Sequence, residues 1–331
     1  MVDRGWQPLG YDLIGDVHGC ALTLRALLEQ MEYRRVNGVY QHPTRQVIFV
    51  GDIIDRGPRI REALHIVRDM VERGSAQIVM GNHEYNALGY CTRARPGSAH
   101  QFLREHNPRH NRLIKETLEA FEDHPQEWNE FLEWFYSIPL FLDFGHFRVV
   151  HACWDAALIE TFRAHHPDGC IDEDFLHAST VGGSFAGRVM DRLLRGTDLP
   201  LPDGQTITGR DGLTRRFFRT KFWADNPQTY GDVVFQPDRL PQDLILRPLT
   251  AQEQGKLLSY GPDEPPVFFG HYWMSGTPRL LKHNVACLDY SAVKYGKLVA
   301  YRFDGEAQLS QDKFVWQEVR REHESAPRSG A

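Results

Sequence analysis

Three apolar runs in the first eighty residues each stop at a glycine followed by Asp or Asn: Leu13-Ile14-Gly15-Asp16, Phe49-Val50-Gly51-Asp52 and Val79-Met80-Gly81-Asn82. Between the runs stand amphipathic stretches. Leu24, Leu27, Leu28 and Met31 fall at helical spacing within 21–31, and Ile60, Leu64, Val67 and Val71 form one stripe within 60–71. The runs at 11–14, 46–50 and 77–80 therefore read as strands joined through helices. That rhythm implies parallel strands with right-handed crossovers. In such a sheet ligands bind beyond the carboxyl ends of the strands, which is where Asp16, Asp52 and Asn82 fall. A glycine there lets the chain turn sharply and lets backbone approach a ligand closely.

Later segments add to the same edge. Residues 140–144 and 147–150, split by Gly145-His146, read as a hairpin that delivers His151. A strand at 267–269 delivers Gly270-His271, and further strands are expected at 285–288 and 297–303. Residues 84–136 read as helical, interrupted by Pro108 and Pro125, with the aromatic stripe Trp128, Phe131, Trp134 and Phe135 expected in the core. Residues 155–265 mix helical pieces with Pro- and Gly-rich loops. Because strands resume afterwards, 1–331 is expected to form one domain with cap insertions at about 90–136 and 155–265.

Composition narrows the function classes. A formal net charge of −6 makes long nucleic acid a poor partner. Five scattered cysteines, Cys20, Cys91, Cys153, Cys170 and Cys287, form no CxxC pair, so neither a disulfide framework nor a thiolate zinc site is expected. No run of about 18 apolar residues calls for a membrane span. The first ten residues lack an apolar signal core, and a cytoplasmic location is expected. Oxygen and imidazole donors without thiolate suit hard to borderline cations. Two such ions about 3.5–4 Å apart can clamp a phosphate and activate water, and Asp52 is the natural bridge between them.

The segments GDVHG (15–19), GDIIDRG (51–57) and GNHE (81–84), in this order, resemble the phosphoprotein phosphatase branch of the calcineurin-like metallophosphoesterases of bacterial type. The likeness extends to His151, to Gly270-His271 and to Leu288-Asp289-Tyr290. It implies a central β-sandwich of mixed sheets flanked by helices, an α/β fold. It implies that Asp16 and His18 hold a first metal, that Asp52 bridges both, and that Asn82, His151 and His271 hold the second. His83 would be the general acid, oriented by Asp55. Arg56 would bind the phosphoryl oxygens, helped by Asn82, with Tyr290 near the substrate. The cofactor implied is a pair of divalent ions, manganese first, with iron, zinc, nickel or magnesium as alternatives. Hydroxide activated between the metals would attack in line, with no phosphoenzyme.

The sequence departs from the eukaryotic pattern at Met80, where Arg is usual, at Cys20, where Gln is usual, and at Gly270-His271-Tyr272, where GHT is usual. A second phosphate-binding Arg falls between the last two metal histidines in that family. Arg215, Arg216 and Arg219 are the candidates here. The phosphorylated substrate is left among phosphomonoesters or phosphoproteins as the first reading and dinucleoside polyphosphates such as diadenosine tetraphosphate as the alternative. An inactive binding module ranks third, because no ligand is missing.

Overall fold

A computed structural model describes residues 7–208, 214–236 and 240–320. The early strands are β1 (Gly10–Ile14), β2 (Arg34–Val36), β3 (Val39–Gln41), β4 (Arg45–Phe49) and β5 (Ala76–Ile78). The hairpin strands are β6 (Phe141–Asp143) and β7 (Arg148–Val150). Then come β8 (Asp198–Pro200), β9 (Ile207–Thr208), β10 (Thr214–Arg215), β11 (Phe217–Thr220) and β12 (Val234–Gln236). The last are β13 (Val267–Phe269), β14 (Val285–Cys287), β15 (Asp289–Tyr290), β16 (Lys297–Phe303) and β17 (Phe314–Glu318). The main helices are α1 (Ala21–Gln30), α2 (Ile60–Glu72), α3 (Asn82–Cys91), α4 (Pro108–Ala120), α5 (Pro125–Tyr136), α6 (Ala156–Arg163), α7 (Glu173–Ser179) and α8 (Phe185–Arg195).

Two sheets form the centre. One has the order β15-β16-β1-β4-β5, with β17 also on β16; the other runs β14-β13-β7-β6. β1, β4 and β5 are parallel, as are β7, β13 and β14, while β16 and β6 run antiparallel to their neighbours. Both sheets are mixed, as expected.

Alternation along each strand sorts its side chains to two cores. Leu13, Ile48, Val299 and Tyr301 from the first sheet meet Val149, Phe268 and Ala286 from the second in one buried cluster between the sheets. The alternate residues Ile14, Val47 and Phe49 face a larger cluster that takes Leu24, Leu27 and Leu28 of α1 and Leu64 and Val67 of α2. Each such leucine, fully buried, contributes roughly 1.5–3 kcal/mol of hydrophobic stabilisation. The aromatic stripe of α5 joins this cluster. A third, smaller cluster holds Leu199, Leu201, Phe218, Tyr230 and Leu244 over the three-stranded sheet β12-β11-β8.

Pro108 and Pro125 begin α4 and α5 instead of breaking a longer helix. The first turn needs no backbone N–H from its opening residue, so proline costs nothing there. Asn107 caps α4 by accepting from the His110 amide at 2.9 Å. The β2–β3 hairpin did not stand out as a strand pattern because each strand is only three residues long and mixes charged with apolar residues. Its turn, Asn37-Gly38, has φ of 52° and 88°, the signature of a two-residue hairpin loop.

Candidate metal centre

The carboxyl ends of β1, β4, β5, β7 and β13 converge, and the segments that follow them carry Asp16, Asp52, Asn82, His151 and His271. The loops are stitched by backbone bonds: the amides of Val17 and His18 donate to the Asp52 carbonyl at 3.1 and 2.9 Å, and that of Gly270 donates to the His151 carbonyl at 2.8 Å. His151 Nδ1 bonds the Val50 carbonyl at 2.6 Å and thereby links the two sheets. Asp16, His18, Asp52, Asp55, Asn82, His83, His151 and His271 are all buried.

Backbone conformation separates these residues from ordinary turn residues. His18, Asp52, Asp55, Arg56, His271 and Trp273 all have positive φ, between 41° and 69°. Strain of this kind costs about 1–3 kcal/mol each and persists where the surrounding structure over-determines it, as at functional sites.

Asp52 is the hub. Its Oδ2 stands 3.4 Å from Nε2 of His151, 3.6 Å from Nε2 of His18 and 3.9 Å from Nε2 of His83. Its Oδ1 accepts from the His83 amide at 2.9 Å. Two groups of donor atoms share it: His18, Asp52 and His83 on one side, and Asp52, His151 and His271 on the other, each within 4.8 Å. Asn82 Oδ1 lies 3.1 Å from His151 Nε2. Asp16 accepts from the His271 amide, at 3.2 Å to Oδ2. His271 Nε2 is buried with no hydrogen-bond partner. Buried polar atoms are normally satisfied, so an orphaned imidazole nitrogen in a pocket of carboxylates fits a cation site. His18 Nδ1 is fixed at 2.8 Å from the Ile54 carbonyl, which leaves Nε2 directed to the hub.

Electrostatics agree with that reading at His18 and His271. At His151 burial is outweighed by the Asp52 carboxylate, which raises the imidazole to about 10, so a cation there must displace its proton. Burial, followed by the Arg56 guanidinium, pushes His18 well below its usual value. Burial, then Arg219, does the same to His271. Both are therefore neutral imidazoles, the form that ligates metal. Burial, then the neighbouring carboxylate of Asp289, raises Asp16 well above the ordinary range. Burial would raise Asp52 too, but the imidazoles of His151 and His83 overcome it and hold Asp52 low. Buried carboxylates gathered in this way call for positive charge between them.

At the rim, His83 Nδ1 lies 2.5 Å from Asp55 Oδ2, and Asp55 is held in turn by Thr117. Arg56 Nη1 is 3.2 Å from His18 Nε2, and its guanidinium lies over the Trp273 ring at 4.7 Å. Arg219, one of the three candidate arginines, donates to the His271 carbonyl at 3.1 Å and so reaches this edge. Tyr290 is elsewhere: its ring belongs to the core between the sheets and its hydroxyl accepts from the Arg279 amide at 2.9 Å.

Three contributors were given no role from sequence, although Glu84 and Asp289 lie inside the quoted motifs. Glu84, fully buried, accepts from the amides of Asp52, Ile53, Ile54 and Gly81 at 2.8–3.3 Å. Its position three residues after Gly81, at the start of α3, was the available signal. Asp289 accepts from the amides of Trp273 at 2.7 Å and Ser291 at 2.9 Å, and so fixes the loop that carries His271. Trp273 carried no signal at all.

A sequence profile of the calcineurin-like phosphoesterases matches residues 11–200. A bis(5'-nucleosyl)-tetraphosphatase PrpE (asymmetrical) of Oceanobacillus iheyensis is 47% identical over 73 residues, 22% of this chain and 29% of that protein. The protein of the same name from a Geobacillus species is 30% identical over 149 residues, 43% of this chain and 56% of its own length. The match thus spans about half or less of these relatives. A solved serine/threonine phosphatase from Saccharomyces cerevisiae is 14% identical, with 96% of this chain and 83% of that one covered and a TM-score of 0.49. The profile takes in more than half of the 331 residues, including the strand ends that carry Asp16, Asp52, Asn82 and His151, and the protein belongs to the calcineurin-like phosphoesterases, hydrolases that act on phosphate esters.

Proposed function

We propose that this chain hydrolyses phosphate esters with two divalent cations, one held by Asp16, His18 and Asp52 and the other by Asp52, Asn82, His151 and His271. The observation that carries the reading is the position of the Asp52 carboxylate at the intersection of two donor groups. The donor set of carboxylate, imidazole and amide fits manganese first, with iron, zinc, nickel or magnesium as alternatives. When bound, such a pair polarises a phosphoryl group and lowers the pKa of water.

The chain's own residues supply the rest. Arg56 binds the phosphoryl oxygens, because a guanidinium fork matches phosphate geometry and stays charged. Trp273 supports it from beneath. Asn82 offers its amide to the same oxygens. His83 holds a proton at Nε2 for the leaving oxygen, while Asp55 fixes the ring through Nδ1.

The first substrate reading is a phosphomonoester, which the Arg56 and His83 arrangement suffices to bind and cleave. The second is a dinucleoside polyphosphate, favoured by the names of the curated relatives. One domain of 1–331 acting in the cytoplasm is our reading of the organisation. It is supported by a main core that draws residues from Ile14 to Val319 and by the absence of disulfides among the five cysteines. Among the described residues no helix is long and apolar enough to cross a membrane.

The test is turnover of p-nitrophenyl phosphate, phosphoSer/Thr/Tyr peptides and diadenosine tetraphosphate by Mn²⁺-loaded protein, with Asp52→Asn as control. Turnover lost in the control supports the reading. Metal bound without any turnover overturns it in favour of a binding module.

A further inference from the structure

Outside the metal hub, two guanidinium groups share one neutral acceptor. Arg104 Nη1 lies 2.7 Å and Arg195 Nη2 lies 2.9 Å from the same Oδ1 of Asn86. Asn86 stands on α3, four residues after Asn82 and three after His83, and i+3 and i+4 positions share a helix face. The pair therefore sits one turn along α3 from the proposed acid, and Arg104 is near enough to Asp55, the partner of His83, for the two charges to act on each other.

Both arginines are held by backbone. On one wall, the Arg104 amide donates to the Gly89 carbonyl at 2.8 Å and the Leu103 amide to the Thr92 carbonyl at 3.0 Å. The rings flanking Arg104 in sequence close the same segment, with His106 stacked between Tyr90 at 3.7 Å and Phe102 at 4.1 Å. On the other wall, Arg195 ends α8, where the Ala152 amide bonds the Leu193 carbonyl at 2.8 Å, next to His151. The Arg195 guanidinium also lies over the Tyr85 ring at 5.3 Å.

The charge here is not balanced. Arg195 has an exposed partner in Asp191 at 2.5 Å. Arg104, half-buried, has no carboxylate within ion-pair distance among the described residues. Burial, followed by the Arg195 guanidinium, pushes it down to about 10. Two cations drawn to one amide oxygen repel each other unless an anion joins them.

We propose that Arg104 and Arg195 form a second anion subsite that holds the phosphate joined by an anhydride bond to the leaving side of the scissile phosphoryl group. The inference rests on the hydrolase reading above and selects the second of its two substrate readings, a polyphosphate chain. In the step, water oxygen bonds to the scissile phosphorus as the bridging P–O bond breaks. The bridging oxygen keeps the electron pair and becomes a terminal oxygen of the phosphate held by the two guanidiniums. The two water protons end on the products or in solvent. A fork of two arginines suits a phosphate with two free oxygens better than a single alcohol leaving group.

The test uses Mn²⁺-loaded full chain and its Arg104→Gln, Arg195→Gln and double variants. Inorganic tripolyphosphate, diadenosine tetraphosphate and p-nitrophenyl phosphate are compared as substrates, and inorganic pyrophosphate and phosphate as inhibitors. The expected result is at least a tenfold fall in the ratio of anhydride to p-nitrophenyl phosphate kcat/KM. The pyrophosphate-to-phosphate preference in Ki should fall with it. Asn86→Asp preserves both hydrogen bonds but neutralises the pair, and the same fall is expected from it even if the arginine variants fold poorly. Ratios that stay constant across all variants overturn the subsite. Wild-type protein that turns over nothing, yet prefers pyrophosphate as a bound competitor of phosphate and loses that preference in the variants, overturns the hydrolase reading while upholding the subsite.

Discussion

His83 presents Nδ1 to Asp55 at 2.5 Å and leaves Nε2 facing Asp52 at 3.9 Å, so one ring spans the rim and the hub. That arrangement suits a proton donor whose tautomer is fixed from behind. It also puts His83 among the atoms that could ligate. The two roles separate by experiment. His83→Ala should lower kcat for phenyl phosphate by roughly 10²–10⁴-fold. The loss should be much smaller for p-nitrophenyl phosphate, whose leaving group needs less protonation. Two metals per chain should remain by elemental analysis. A drop to one metal would make His83 a ligand.

Glu84 predicts a structural lesion at the same place. Its carboxylate takes four backbone amides, and hydrogen bonds to a charged group are worth about 1.5–3 kcal/mol. Glu84→Gln keeps the shape but loses half of the accepting capacity. We expect about 2 kcal/mol of destabilisation by urea unfolding and weaker metal binding, because the Asp52 turn is no longer held. An unchanged unfolding midpoint would show that the amides find other partners.

Removal of metal should destabilise the whole molecule, since Asp16, Asp52 and Asp289 crowd one buried pocket. A ligand at a hundred times its Kd adds about 2.7 kcal/mol to the folded state. Thermal unfolding in EDTA should therefore fall several degrees below that in excess Mn²⁺, and readdition should restore it. Equal midpoints would mean that no cation occupies the hub.

The parts of this molecule that could be read from sequence are those where local pattern and chemistry coincide. β1, β4 and β5 end at glycines that must let chain pass chain. A Cβ on Gly81 would stand 2.2 Å from the Asp52 amide nitrogen, which makes the motif glycine a packing requirement. His151 and His271 were placed by short strands that deliver them. Most of Glu84's role was hidden because three of its four amide partners lie some thirty residues away in sequence and meet it only once the Asp52 turn is folded beside α3. Arg104 and Arg195 were harder still: they come from different segments and meet only over Asn86. Trp273 earns its position from Arg56, a contact between loops that no periodicity records.

Gly270→Ala tests how closely the sheets approach at the site. The added Cβ would stand 1.9 Å from Oδ1 of Asp16 and 2.9 Å from Cγ2 of Val50. Overpacking of this kind costs about 1–3 kcal/mol, and here the yielding group is a proposed ligand. Activity should fall by on the order of a hundredfold, since a displacement of about 1 Å near a reacting centre is enough for that. Wild-type turnover in this variant would show that Asp16 is dispensable.

Trp273 should matter for binding more than for chemistry. Its ring faces Arg56 at 4.7 Å and the Lys294 ammonium at 3.6 Å, so it holds two cations at the rim without touching the hub. A cation–π contact is worth about 0.5–2 kcal/mol, more where water is excluded. Trp273→Ala leaves Arg56 free to leave the phosphoryl oxygens, and KM for p-nitrophenyl phosphate should rise by roughly 2- to 30-fold, the range that energy allows. The kcat should change little, because His83 and the hub ligands keep their positions. Trp273→Phe, which retains a ring face, should recover most of the loss. If kcat falls instead and KM holds, the ring positions His271 through the Asp289 loop, and Arg56 binds phosphate without its help.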